Sequence, residues 1–320
     1  MKFNTIRYLL FLLAILFYAC DQSPEPNNNN SVGKVDAEQL LSDIEYLSSD
    51  ELQGRFPESD GSIMAQRFII DRFQSLDLSS FHDDFRHPFT ATNSRTGQTF
   101  DYALNLIGYA EGRTNPDRFI AITAHYDHLG VIDGEIYNGA DDNASGTGGL
   151  LAAARYFSEN QPDHSILFIA LDAEEQGLLG AYEFVNNPPV PLNHIVLNVN
   201  MDMIGVNFEN ELYAVGTYHY PFLKPLIETA ASGAPVNVLF GYDSADFSQD
   251  WTMSSDHGPF HEKGVPFIYF GVEDHEHYHR PTDTFENINP EFYVNAVETI
   301  IDILKYLDLY LDQISEASGR

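Results

Sequence analysis

The chain is short of two kinds of residue, and each shortage rules something out. It has one cysteine, Cys20, among 320 residues. No disulfide can therefore close within it, and no metal site can rest on a set of thiolates. Lys and Arg number 16 against 48 Asp and Glu, a formal charge of −32. No dense basic face is available to neutralise phosphates, so a nucleic-acid partner is excluded. Most of the excess acid reads as solvated surface, which leaves a handful of carboxylates for chemistry. A G-x-S-x-G elbow is also missing, which speaks against a serine hydrolase on an α/β scaffold. No period of about 20 to 50 residues repeats, so a solenoid is not expected. The 43% hydrophobic content is enough for one large core.

The opening residues carry Lys2 and Arg7 ahead of an apolar run from Tyr8 to Ala19, too short and wrongly flanked for an ordinary membrane span. Residues 1–19 read as a secretory signal. Phe17-Tyr18-Ala19-Cys20 resembles a bacterial lipobox, with Phe17 where Leu is usual. Cys20 would then be lipidated and become the first residue of an exported lipoprotein, in the periplasm or on the outer membrane or cell surface. Its lipid would be the only membrane attachment; the plainer reading is a cleaved soluble export signal with an incidental thiol. Residues 20–35, rich in Asn, Pro and Ser, read as a flexible tether.

One domain is expected over 36–314, followed by a tail over 315–320. Leu40, Leu41, Ile44 and Leu47 recur at helical spacing, and Ile63, Phe68, Ile69 and Phe73 suggest a second helix. From Tyr102 onward, apolar runs such as RFIAITAH, SILFIALD and HIVLNVNM alternate with helical segments, and Pro290 to Leu311 reads as a closing helix. That rhythm predicts an α/β fold, a three-layer α/β/α sandwich around a mixed but mostly parallel central sheet. Ligands of such open sheets bind at the carboxyl ends of the strands, where His125, Glu175 and Asp202 are expected.

Five candidate metal ligands, His125, Asp141, Glu175, Asp202 and His279, lie at strand ends or in sharp loops. Two imidazoles and three carboxylates suit a borderline ion such as zinc. Asp127, two residues beyond His125, is on the same side of an extended chain and is expected to fix the tautomer of that imidazole. In Asn138-Gly-Ala-Asp141-Asp142-Asn143-Ala-Ser-Gly146, small residues permit a tight backbone and Asn143 suits a helix cap. A capping loop alone explains less well two adjacent acids held before an apolar helix. Glu174 and Glu175 end a strand and point in roughly opposite directions, so one can face a metal while its neighbour faces water. A solvated pair is the plainer reading there, and a turn residue is the plainer reading of Asp202. His275-Glu276-His277-Tyr278-His279 spells the H-E-x-x-H of zinc metalloproteases, but that motif works only on a helix. Pro281 disfavours helical geometry at Arg280, which leaves His279 to enter a site from a loop.

Taken together, AHYDHLG, NGADDNASG, LDAEEQGLLGA, NVNMDMIG and HRPTDT, in this order, resemble the zinc-dependent aminopeptidase family that also includes glutamate carboxypeptidases and glutaminyl cyclases. The resemblance spans Asp36 to Leu311 and implies the zinc exopeptidase fold, with two Zn2+ per chain and a peptide as substrate. It implies that His125 and Asp202 hold one zinc, Glu175 and His279 the other, and Asp141 bridges them. Glu174 would be the general base and Asp127 the partner of His125, with a cis peptide between Asp141 and Asp142. Ser255-Asp256-His257 matches another family stretch without a role that can be assigned, and His128, His275 and His277 read as structural or rim groups. An aminopeptidase is preferred to a carboxypeptidase because arginines to anchor a carboxylate are few. A one-zinc glutaminyl cyclase and a non-catalytic surface-binding lipoprotein are the alternatives.

Overall fold

His164–Leu171, Ile195–Met201 and Phe267–Gly271 are buried along their whole length, as strands covered on both faces must be. The computed structural model describes residues 34–320 except 82, 83 and 245. The expected signal, Cys20 and most of the tether lie outside the described residues.

In chain order the helices and strands begin with α1 (Ala37–Leu47), α2 (Asp60–Ser75), β1 (Arg86–Thr92), β2 (Thr99–Ala110) and β3 (Asn115–His125). A small hairpin, β4 (Gly130–Ile132) and β5 (Glu135–Tyr137), precedes α3 (Gly146–Glu159), β6 (His164–Leu171), α4 (Leu179–Asn186) and β7 (Ile195–Met201). The remainder is β8 (Glu211–Val215), α5 (Lys224–Ala230), β9 (Asn237–Leu239), α6 (His257–Glu262), β10 (Phe267–Gly271), α7 (Pro290–Leu309) and α8 (Leu311–Ser318). Asp36, Ser59 and Asn289 cap α1, α2 and α7 by accepting the amides of Gln39, Ser62 and Phe292.

Eight strands form one sheet in the order β1-β2-β6-β3-β7-β10-β8-β9. The central four, β6, β3, β7 and β10, are parallel; β1 with β2, β2 with β6 and β8 with β10 pair antiparallel, and β9 runs parallel to β8. The mixed, mostly parallel sandwich expected from the alternation is therefore the fold. Side chains leave β3 and β6 with period two. Ile120, Ile122, Ile166 and Phe168 join the core shared with α1, α3 and α7, while Phe119, Ala121, Leu167 and Ile169 join the opposite core with Phe184 of α4 and Phe260 of α6.

This order puts a crevice where it matters. The chain leaves β3 through α3 to β6 on one side, then returns through α4 to β7 on the other, so β3 lies at the point where the winding reverses. The carboxyl ends of four neighbouring parallel strands, at His125, Leu171, Met201 and Gly271, open there together.

Three boundaries differ from expectation. Val35, assigned to the tether, is buried in the core. The closing helix breaks at Tyr310 into α7 and α8. Residues 315–320 are no tail, because α8 runs to Ser318 and the Arg320 guanidinium donates to the carbonyls of Leu192, Ile195 and Gly264. No helix among the described residues is long and apolar enough to cross a membrane.

Candidate metal centre

His125 is the last residue of β3, Glu174 and Glu175 follow β6, Asp202 follows β7, and His279 comes from the loop after β10. Their convergence is a consequence of strand order. Thr147 of α3 donates to the His125 carbonyl, and Asn143 Oδ1 accepts the Gly146 amide at 2.8 Å while its Nδ2 donates to Met201 O. Ser145, not Asn143, takes the N-cap position of α3, yet Asn143 accepts the first amide of that helix and ties the acidic loop to the end of β7.

Two groups of potential ligand atoms form, one of His125, Glu174 and Asp202, the other of His128, Asp142 and Glu175, with atoms within 4.8 Å of one another in each. Asp142 lies between them. Its Oδ1 is 3.4 Å from His125 Nε2, and its Oδ2 is 3.0 Å from His279 Nε2. His125 Nε2 is also 3.4 Å from Asp202 Oδ1, and His279 Nε2 is 3.4 Å from Glu175 Oε2.

The expectation for Asp141 is corrected by these distances. Adjacent residues point different ways, and it is Asp142 that enters the centre. Asp141 turns aside, with Oδ1 accepting the Gly205 amide at 2.6 Å and Oδ2 facing His275 Nε2 at 2.8 Å. The cis peptide likewise lies at Asp142–Asn143, one residue later than expected. The H-E-x-x-H string is not helical: His275 and His279 sit in a turn-rich loop and face different aspartates.

Asp127 also acts differently from the expectation. The His125 Nδ1 contact is to the Asp127 carbonyl, at 3.1 Å, and the carboxylate is 3.7 Å away. That carboxylate instead accepts the amides of Glu174, at 3.0 Å, and Glu175, at 3.3 Å. Asp283, which the sequence did not single out beyond its place in HRPTDT, is its counterpart and accepts the amides of Asp141 at 2.9 Å and Asp142 at 3.0 Å. Both carboxylates are buried.

Beneath them lies Arg55, fully buried, whose guanidinium donates to the carbonyls of Tyr126, Leu47, Asn138 and Gly139 at 2.7, 2.5, 2.6 and 2.9 Å. Burial pulls it down to about 10, against the opposing pull of Asp127, Asp283, Asp142 and Glu175. It stays a cation and joins the loop after β3 to the loop before α3. No periodicity marks such a residue in the sequence.

The centre is charged and largely buried. Burial disfavours an imidazolium at His125, but Asp202 and Glu174 outweigh it and hold His125 well above its usual value. Burial is opposed in the same way at His279, which Asp142 and Glu175 push up to about 10. Burial raises Glu174; His125 opposes this, while Glu175, Asp256 and Asp202 add to it, and the carboxyl lies well above the usual range. Asp256 is fully buried, and neither of its carboxylate oxygens has a hydrogen-bond partner among the described residues. Burial lifts it to about 8 despite His125. The same lack of a partner holds for His125 Nε2, Asp202 Oδ1, Glu175 Oε1 and both ring nitrogens of His128.

Above the centre opens a cleft of about 910 Å³, lined by Glu174, Glu175, Asp142, Asp202 and His279 at its floor and by Met203, Trp251, Tyr269 and Tyr278 among its walls. Asp250 and Asp274 add acid, and Arg95 is its one Lys or Arg among the described residues.

The profile of Peptidase family M28 matches residues 105–304. Aminopeptidase YwaD of Bacillus subtilis is 35% identical over 210 residues, covering 61% of this chain and 42% of the relative. Leucine aminopeptidase 2 of Trichophyton rubrum is 29% identical over 223 residues, covering 59% of this chain and 44% of the relative. The chain thus spans less than half the length of these curated relatives. Among solved structures, a glutaminyl cyclase of Porphyromonas gingivalis superposes with a TM-score of 0.69 at 20% identity, over 85% of this chain and 98% of that one. BSAP, a zinc aminopeptidase from Bacillus subtilis, superposes with a TM-score of 0.66 at 21% identity, over 84% of this chain and 94% of that one. Identities this low speak for the fold alone. The matched stretch contains every member of both donor groups, and the chain belongs to Peptidase family M28.

Proposed function

We propose that the protein is a zinc-dependent aminopeptidase that removes N-terminal residues from peptides, with Glu174 as its general base. The observation that carries this reading is the pair of buried donor groups that meet at Asp142, with ligand atoms that have no hydrogen-bond partner among the described residues. Buried polar atoms without partners are costly, and convergent imidazole and carboxylate donors fit zinc. His125 and Asp202 would hold one ion, Glu175 and His279 the other, with Asp142 between them in place of Asp141. Bound zinc supplies a Lewis acid for the scissile carbonyl and makes water a nucleophile near neutral pH.

The rest falls to side chains. The Glu174 carboxylate, at the floor of the cleft, takes the proton of the attacking water as the new C–O bond forms, then gives it to the amine nitrogen as the C–N bond breaks. An amine is a poor leaving group, so one carboxyl must serve as base and then acid. Burial, with the neighbouring carboxylates of Glu175 and Asp202, favours its protonated form and supports that double use. The acidic lining of the cleft, with Arg95 as its one Lys or Arg among the described residues, supports an ammonium terminus over a carboxylate. Met203, Trp251, Tyr269 and Tyr278 offer an apolar wall to the first side chain. A second donor group favours two metals over the one-zinc cyclase reading.

Two measurements test this. Free peptides should be shortened from the N-terminus while N-acetylated ones survive; trimming of blocked peptides from the C-terminus would reverse the assignment. Glu174→Gln should abolish turnover and still bind zinc, whereas full activity in that variant removes Glu174 as the base. Export and lipid attachment at Cys20 complete the proposal, supported by Lys2, Arg7 and the apolar run before Cys20. Labelled fatty acid should enter the chain and not its Cys20→Ala variant.

A further inference from the structure

We propose that His128 is a protein ligand of the second metal position, which is thereby built from two imidazoles and two carboxylates: His128, His279, Asp142 and Glu175. This rests on the zinc reading above and adds a donor to it.

His128 follows His125 by three residues in the loop leaving β3, and its side chain is 0% exposed. Its Nδ1 lies 2.7 Å from Glu175 Oε1 and 3.9 Å from Asp142 Oδ2. At 2.7 Å a well-aligned pair would be a strong hydrogen bond. Yet Nδ1 and Oε1 are both without a hydrogen-bond partner among the described residues, so the ring nitrogen is close to the carboxylate without pointing at it. Both ring nitrogens of His128 are buried without a hydrogen-bond partner among the described residues, and Nδ1 lies beside the two carboxylates of its own donor group, where a shared cation would satisfy all three.

The surroundings support the same reading. His279 stands across the same two carboxylates, its ring centroid 5.9 Å from that of His128, and it approaches Glu175 through Oε2 where His128 approaches through Oε1. Room for the His128 ring depends on residue 139 being glycine. A Cβ there would fall 2.5 Å from His128 Cγ, and the backbone at Gly139 has φ 59°. The loop that delivers Asp142 is thus shaped around this imidazole. A neutral imidazole adds a nitrogen donor without further charge, which favours zinc over magnesium or calcium at this position.

The test is 15N-histidine NMR of the metal-free protein titrated with zinc, with His128→Gln, His125→Gln and His279→Gln used to assign the rings. The ring nitrogens of His128 should move to metal-bound shifts together with those of His125 and His279. Zinc affinity measured by chelator competition should fall roughly 10–100-fold in one binding step for His128→Ala and His128→Gln, with the other step unchanged. If the His128 nitrogens keep their metal-free shifts at saturating zinc while His125 and His279 move, His128 is no ligand and the proposed function stands. If no histidine moves, both fall. Where a variant does not fold, through-bond correlation from the assigned backbone identifies its ring in the wild type, and the wild-type titration decides the matter.

Discussion

Asp127 Oδ1 lies 3.0 Å from the amide nitrogen of Glu174, so the residue expected to orient a histidine instead orients the proposed base. Its other oxygen takes the amide of Glu175. Across the centre Asp283 does the same for Asp141 and Asp142. Each of the two acidic loops is therefore held from behind by one buried carboxylate on two successive N–H groups. Charge-assisted bonds of this kind contribute about 1.5–3 kcal/mol each.

Asp127→Asn should damage turnover more than metal content. The amide side chain keeps one acceptor oxygen and turns its NH2 toward a backbone N–H, so one of the two bonds becomes a donor facing a donor. Glu174 and Glu175 then lose their fixed direction, and kcat should fall by about 10–100-fold, the usual effect of losing a partner that supports a metal site. Steady-state kinetics with zinc analysis of the same preparation checks this. An unchanged kcat would show that Asp127 has no part in aiming the base.

Asp283→Ala should act on stability. It leaves the amides of Asp141 and Asp142 buried without acceptors, at a cost of about 1–3 kcal/mol each. Urea unfolding of the metal-free protein should show a clearly lower midpoint, and Asp283→Asn, which can still accept one of them, should fall between. Equal midpoints for wild type and Asp283→Ala would refute the clamp.

Much of this was legible in the sequence. The strands at His125, Leu171 and Met201 could be read because unbroken apolar runs mark strands buried on both faces, and their parallel order brings their ends together. Asp142 could not be distinguished from Asp141, because neighbours in a tight loop differ only in the direction the backbone gives them. The role of Asp127 was misread because spacing along a strand says where a side chain can reach and nothing of the amides that come to it from β6. Asp283 and Arg55 make their bonds to backbone atoms far along the chain, and such partners leave no pattern around the residue itself. His128 looked like a rim group because an imidazole beside His-Tyr-Asp has no signature until Gly139 folds against it.

Arg55 makes the strongest case for a residue whose value lies in placing others. Arg55→Ala removes donors from the carbonyls of Leu47, Tyr126, Asn138 and Gly139 and takes a cation from among Asp127, Asp283, Asp142 and Glu175. Loss of one partner from a buried charged network costs about 3–5 kcal/mol, so the variant should unfold at much lower urea. Arg55→Lys keeps the charge but cannot supply the planar fork, and should recover only part of the loss. A lysine variant as stable as wild type would mean that charge alone matters here.

The last prediction concerns pH and lies far from the centre. His164 opens β6, and its Nδ1 meets Asp308 Oδ1 of α7 at 3.0 Å while Asp312 lies 3.4 Å from Nε2. Burial alone would lower this histidine, but the two carboxylates raise it above its usual value. A group whose folded value exceeds its unfolded one, near about 6.5 for histidine, stabilises the fold fully below the unfolded value. That contribution is lost as pH climbs through the folded value. His164→Gln keeps a neutral side-chain donor and cannot charge, so the stability gap between wild type and variant isolates the ionic part. Urea unfolding should give the widest gap near about pH 6 and a steady narrowing toward about pH 9. A gap constant across that range would mean that the imidazole is held neutral and that β6 and α7 are joined there by hydrogen bonding alone.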